Sequence, residues 1–244
     1  MMINILEWVA RRRVAVLVVS LSVAVLLQVL RHTAGDGHSL RLDLVIGVLP
    51  VLPLILCAAV VGRTFHPAKL IARPEVPALD VPANPAVVLG SAGYTFFAVF
   101  LLGATTQGLV TGLDFAFAAP ALVIIGGQLA AFWWAALGRY GVRLTPDGII
   151  DRQVYGRLFV PWEALATVEP AYPRDAHRVV LRVERLDLVR KRGFRAGGRT
   201  LLPAAGVSAA FLTHAINQYA SHPESRPAIG SVTALTHLQS TSQR

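Results

Sequence analysis

The sequence predicts four transmembrane helices over residues 1–138, a small antiparallel β-barrel or bent sheet closed by a C-terminal helix over 139–226, and a flexible tail over 227–244. Three observations carry this prediction. Hydrophobic residues make up 54% of the 244 and charged residues only 15%, where an ordinary globular domain carries about 25% charged residues. The charges are also uneven, because residues 139–244 hold 15 of the 23 Lys/Arg and 8 of the 14 Asp/Glu. Beyond Tyr140, long uncharged runs give way to short segments of alternating polarity. The single cysteine, Cys57, excludes a disulfide scaffold and a cysteine-rich zinc site.

The first span is Val14–Leu30, 17 residues without a charge. At about 1.5 Å per residue it reaches the short end of what crosses a bilayer. Arg11, Arg12 and Arg13 precede it, and no small-residue cleavage site follows, so it reads as a retained helix and not a signal peptide. Leu44–Gly62 is the second span, with Pro50 and Pro53 expected to kink it. Ala86–Val110 and Phe115–Leu137 are the third and fourth, and only Thr111–Asp114 separates them, which predicts a tight hairpin. None of the four runs contains Asp, Glu, Lys, Arg or His.

Cations in the short connections set the orientation. Arg11–Arg13, the second connection (Arg63, Lys69, Arg73) and the Arg-rich C-terminal half fall on one side; Arg31 and Arg41 fall on the other. This places both termini in the cytoplasm of a multi-pass inner-membrane protein. Trp8, Trp133 and Trp134 suit an interfacial aromatic belt. Thr105, Thr106, Gln107 and Gln128 are the polar groups within the spans, and Gly90, Gly103, Gly108, Gly126 and Gly127 read as close-packing positions. A transport path ordinarily needs ionisable groups or broken helices, so these residues read first as helix–helix contacts.

In the second half, Tyr140–Leu144 and Ile149–Tyr155 flank the turn Thr145-Pro146-Asp147-Gly148. Arg157–Trp162 follows, then a segment from Pro161 through Val168. Arg178–Glu184 alternates most cleanly, and Leu186–Arg190 and Thr200–Leu202 are weaker strands. Ser208–Ser221 carries Phe211, Leu212, Ala215, Ile216 and Tyr219 at helical spacing, with Ser208 as its cap. The residues after Gly230 read as a loose tail.

The run Gly141-Val142-Arg143-Leu144-Thr145-Pro146-Asp147-Gly148-Ile149, the element Val160-Pro161-Trp162-Glu163 and the helix ending Tyr219–Pro227 together resemble the bacterial pleckstrin-homology-like (PH) domain of actinobacterial membrane proteins, most of them uncharacterised. The resemblance covers residues 139–226. It implies a PH-like antiparallel β-barrel plugged by its last helix, and a module that binds and does not catalyse. Two departures matter. Phosphoinositide-binding members crowd cations around the first hairpin loop, where this chain has only Arg143 and Arg152. Their closing helix buries a tryptophan, where this one offers Phe211. No phosphoinositide site is carried over.

The basic stretch Arg190-Lys191-Arg192-Gly193-Phe194-Arg195, with Arg199 beyond it, is the candidate lipid- or partner-binding surface. Clustered cations next to a bilayer are drawn to anionic headgroups, by about 1 kcal/mol each, and Phe194 is suited to enter the headgroup layer. A solvated hairpin tip is the alternative reading. The expected partners are membrane lipid, another membrane protein or a second copy of the chain. Nucleic acid is not expected, because no helix-turn-helix or aromatic platform accompanies the charge. His177, His214 and His222 lack ligand spacing, and no paired carboxylates, nucleophile elbow or phosphate loop occurs, so no metal, cofactor or catalytic set is expected. The reading is a membrane-tethered interaction module. The alternative is a small channel or transporter component regulated by its β domain.

Overall fold

The computed structural model describes residues 2–33, 50–112, 114–138 and 140–241, and divides into two compact units. The helical unit comprises residues 1–63 and 85–138; the β unit comprises 64–84 and 139–244. The β unit is therefore discontinuous, and a pair of apolar helices is inserted into it.

The helical unit runs α1 (Met2–Arg11), α2 (Arg13–Thr33), α3 (Val51–Thr64), α4 (Pro85–Val110) and α5 (Phe115–Leu137). Three of these, α2, α4 and α5, are long and apolar enough to cross a membrane. The second expected span is seen only as the 14-residue α3, about 21 Å at helical rise; residues 44–49 of it lie outside the described residues. Pro50 precedes α3 and Pro53 sits in its first turn, where a missing backbone donor goes unneeded, so Pro53 imposes no kink.

Helix α4 packs against both α2 and α5. Small residues allow this: a Cβ at Gly103 would stand 1.9 Å from the Gln28 side chain, and Gly90 and Gly93 face Ala58 and Leu54 of α3. Ser91 donates to the Phe132 carbonyl at 3.0 Å, and the Trp133 indole donates to Thr95 Oγ1 at 2.9 Å. Trp133 is thus a packing residue, while Trp8 and Trp134 are exposed. Gly126 and Gly127 meet nothing within 4 Å and are not close-packing positions in this chain. Asp114 caps α5 by accepting from the Ala116 amide.

The β unit holds a six-stranded antiparallel sheet in the order β1-β2-β3-β4-β5-β8 and a three-stranded sheet β6-β7-β9. Strands β1 (Ile71–Arg73) and β2 (Ala78–Asp80) come from the connection between α3 and α4, for which the sequence predicts no strand. They extend the sheet past β3 (Gly141–Thr145), through Leu79↔Leu144 and Asp80↔Arg143. Strands β4 (Gly148–Gln153) and β5 (Gly156–Pro161) follow the expected hairpins. The segment from Pro161 becomes a 3-10 turn (Trp162–Ala164) and not a strand, because Trp162 turns into the core and its Nε1 donates to the Thr145 carbonyl at 2.9 Å.

Strand β6 (Ala171–Asp175) is unforeseen; β7 (Arg178–Leu181) and β9 (Leu201–Pro203) fall near expectation. The weak strand at Leu186–Arg190 is displaced to β8 (Arg190–Gly193). Helix α6 (Ala209–Ser221) has the predicted Ser208 cap and packs on β6 and β7, burying Phe211, Leu212, Ala215, Ile216 and Tyr219. The supposed tail instead forms α7 (Val232–Thr241) beside β1, with Leu238 in the same core as Leu79 and Leu144. The two sheets do not join into a closed barrel, so the expected barrel is corrected to a two-sheet arrangement with helices packed against it.

Candidate functional site: an arginine-lined sheet face

Alternation along β4 and β5 sorts their side chains onto two faces. Ile149, Asp151, Leu158 and Val160 are buried, which leaves Ile150, Arg152, Arg157 and Phe159 on the opposite face. Strand β8 adds to that outer face in register, with Arg192 opposite Arg157 and Arg190 opposite Phe159. Because Arg157 also pairs with Arg152, the row Arg152–Arg157–Arg192 crosses three adjacent strands.

Glycines fix that register. Gly193 has φ +71, and a Cβ there would lie 2.3 Å from the Tyr155 carbonyl; one at Gly156 would lie 2.4 Å from the Phe194 carbonyl. Only with both positions bare can β8 close on the β4–β5 turn, where the Phe194 amide donates to Tyr155.

Like charges placed directly opposite across a sheet repel. Partial desolvation, and after it the Arg157 and Arg143 charges, lowers the Arg152 guanidinium pKa, against the pull of Asp80. Asp80 itself is spent on Arg73 (2.5 Å) and Arg143 (2.6 Å). Among the described residues no carboxylate pairs with Arg152, Arg157, Arg190 or Arg192. Beside this row the face is concave, with an open depression of about 670 Å³ lined by the β3–β4 turn, Ile150, Phe159, Arg157, Arg190 and Arg192, and by Asp147.

The basic stretch from the sequence is divided by this geometry. Arg190, Lys191 and Arg192 are exposed on β8; Phe194 is 82% exposed, and Arg199 is exposed in the loop before β9. Arg195 is corrected: at 4% exposure it is a core residue and no surface cation. Its Nε donates to Asp151 Oδ2 at 2.7 Å, and the ion pair closes to 2.6 Å at Nη2, with both side chains wholly buried; Nη2 donates to the Leu201 carbonyl at 2.5 Å and Nη1 to the Gly198 carbonyl at 2.6 Å. The geometry adds Arg152 and Arg157, which lie outside the basic stretch, to the site. Their position, flanking the two-residue turn Val154-Tyr155, was a usable signal, since a tight hairpin sets them side by side.

Elsewhere in the β unit, His66 Nε2 lies 2.8 Å from His177 Nδ1. Among the described residues no group of three His, Cys, Asp or Glu is placed to hold a metal. Compared with known proteins, the chain matches no family model, no curated sequence and no solved structure.

Proposed function

We propose that the chain is a multi-pass inner-membrane protein whose β unit serves as a tethered interaction module without catalysis, both termini lying in the cytoplasm. The observation that carries this reading is the split of the β unit into residues 64–84 and 139–244 around the apolar hairpin α4–α5. A hairpin that leaves one folded unit and returns to it has both outer ends on one side of any membrane it enters. The cation count of the connections makes that side cytoplasmic. In this reading α3 belongs to a fourth span. A PH-like relationship for the β unit is supported by the hairpins β3–β4–β5, the second sheet and the packed helix α6; the added β1–β2 hairpin is a departure from it.

Tethering raises the local concentration of the module toward lipid or a membrane partner. The channel alternative requires a hydrated polar path. Thr105 and Thr106 each donate to carbonyls of their own helix, and Gln128 accepts from Tyr94, so these groups have internal partners.

Topology tests the reading directly. With Cys57→Ser as background, Glu75→Cys, Thr111→Cys and Glu224→Cys are labelled from each side of sealed vesicles. Glu75→Cys and Glu224→Cys react from the cytoplasmic side and Thr111→Cys from the other. Labelling of Thr111→Cys and Glu224→Cys from one side only would sink the hairpin and the reading with it.

A further inference from the structure

We propose that the concave outer face of the six-stranded sheet binds a phosphate group, gripped by Arg157 and Arg192 of its lining with Arg152 next to Arg157 in the same row, and with the remainder of the ligand lying over Ile150 and Phe159. This deepens the binding-module reading and rests on it, by naming the chemistry that the module recognises.

Four features converge on it. The guanidinium row spans three strands, and neighbouring strands lie about 4.8 Å apart, so three planar donor forks fall within reach of one compact anion. Guanidinium forks match phosphate oxygens two by two. No carboxylate among the described residues forms an ion pair with these arginines: Asp80 on β2 is taken by Arg73 and Arg143, and Asp147, though it lines the concavity, is paired with none of them. The floor beside the row is apolar, through Ile150 and Phe159, which neighbour each other across β4 and β5.

Protection of a sheet edge is the ordinary reason for cations on a strand such as β8. It does not account for Arg152 and Arg157, which lie on interior strands β4 and β5. Nor does it account for a register that sets three like charges in one row. The concavity beside the row, open to solvent and about 670 Å³ in volume, falls in the size range of small-molecule sites.

The phosphate has two possible sources, a lipid headgroup and a soluble phosphorylated compound, and the experiment separates them. The full chain, purified in an uncharged detergent, is titrated with short-chain phosphatidylglycerol, short-chain phosphatidylcholine and inorganic phosphate. The expected result is salt-sensitive binding of phosphatidylglycerol, inorganic phosphate or both, weakened about tenfold by Arg157→Gln and by Arg192→Gln. Arg174→Gln, an exposed arginine on the other sheet, changes affinity less than about twofold, as expected of a distant screened charge. Phosphatidylglycerol without inorganic phosphate assigns a headgroup; inorganic phosphate at comparable affinity assigns a soluble ligand.

The helices bind detergent and lipid as well, so only the part removed by the two substitutions counts. Thermal unfolding of each variant confirms that it is folded. The proposal is overturned if neither phosphate probe binds, if Arg174→Gln weakens binding as much as Arg157→Gln, or if phosphatidylcholine equals phosphatidylglycerol regardless of the substitutions. Phosphate binding with a failed labelling pattern would remove the membrane hairpin and keep the site; the converse would remove the site alone.

Discussion

Arg195 and Arg157 belong to one β unit and carry the same charge, yet their surroundings are opposite. Arg195 is enclosed, shares its charge with Asp151 and donates to backbone carbonyls, so the loop from Phe194 to Leu201 is clamped onto β4. Arg157 stands on an open sheet face between two further arginines and has no acid beside it among the described residues. A guanidinium in the first setting is part of the framework. In the second it is held against its own repulsion, which salt screens and a ligand of opposite charge relieves. Proximity in sequence does not separate the two cases, since Arg192 and Arg195 are three residues apart.

The comparison breaks hardest at the buried pair. Arg195→Met leaves the Asp151 carboxylate without a countercharge in the core, where Asp151 Oδ1 already has no partner. The expected loss is about 3–5 kcal/mol, read as a large fall in thermal stability of the full chain. Replacing both, Asp151→Leu with Arg195→Met, recovers most of that loss, because two apolar side chains need no compensation. A single substitution that costs less than about 1 kcal/mol would show the pair to be solvated, against the framework role.

Asp80 lies between the two extremes. It is mostly buried and shared by two arginines, so Asp80→Asn is expected to cost about 1.5–3 kcal/mol, the range for hydrogen bonds to charged groups. The same substitution frees Arg143 on the sheet face. Phosphate affinity should therefore rise while stability falls, measured by titration and thermal unfolding on one sample.

How far this arrangement could be read beforehand depends on the range of the interactions. The long helices follow from composition within a continuous window, and α4 and α5 end within a residue of Ala86–Val110 and Phe115–Leu137. The hairpins β3–β4 and β4–β5 follow from local turn chemistry at Pro146-Asp147-Gly148 and Val154-Tyr155. Strands β1 and β2 did not, because Ile71–Asp80 is interrupted by Pro74 and Pro77 and its partner β3 lies beyond two membrane-length helices. Helix α7 was missed for a similar reason: its burial depends on Leu238 meeting a core built from distant strands. At the site, the exposed Arg190 and Arg192 were legible as a charged run. Arg195 was not separable from them, since its acid is 44 residues upstream.

The imidazole pair is a milder case of crowding. Burial, followed by the His177 charge, lowers the His66 pKa below its ordinary 6.5, while the Thr64 backbone opposes. Folded His66 therefore resists the proton that the unfolded chain accepts. Stability is complete above about pH 6.5 and declines as pH falls through that value. His177→Gln removes the second cause and leaves the first, so the fall in melting temperature between pH 7.5 and 5.5 should become shallower without vanishing. An unchanged slope would assign the shift to burial alone.

The smallest effect has the opposite sign. Arg157→Gln removes the central charge of the row Arg152–Arg157–Arg192, and with it two cross-strand repulsions. The β unit should gain about 0.2–1 kcal/mol, read as a modest rise in melting temperature at low salt that shrinks as salt screens the row. Arg174→Gln, with no like charge opposite it, should leave stability within about 0.5 kcal/mol. A substitution that stabilises the chain while weakening phosphate binding identifies a residue kept for its ligand. If Arg157→Gln instead destabilises the chain, the row is part of the packing after all, and Arg157 belongs with Arg195.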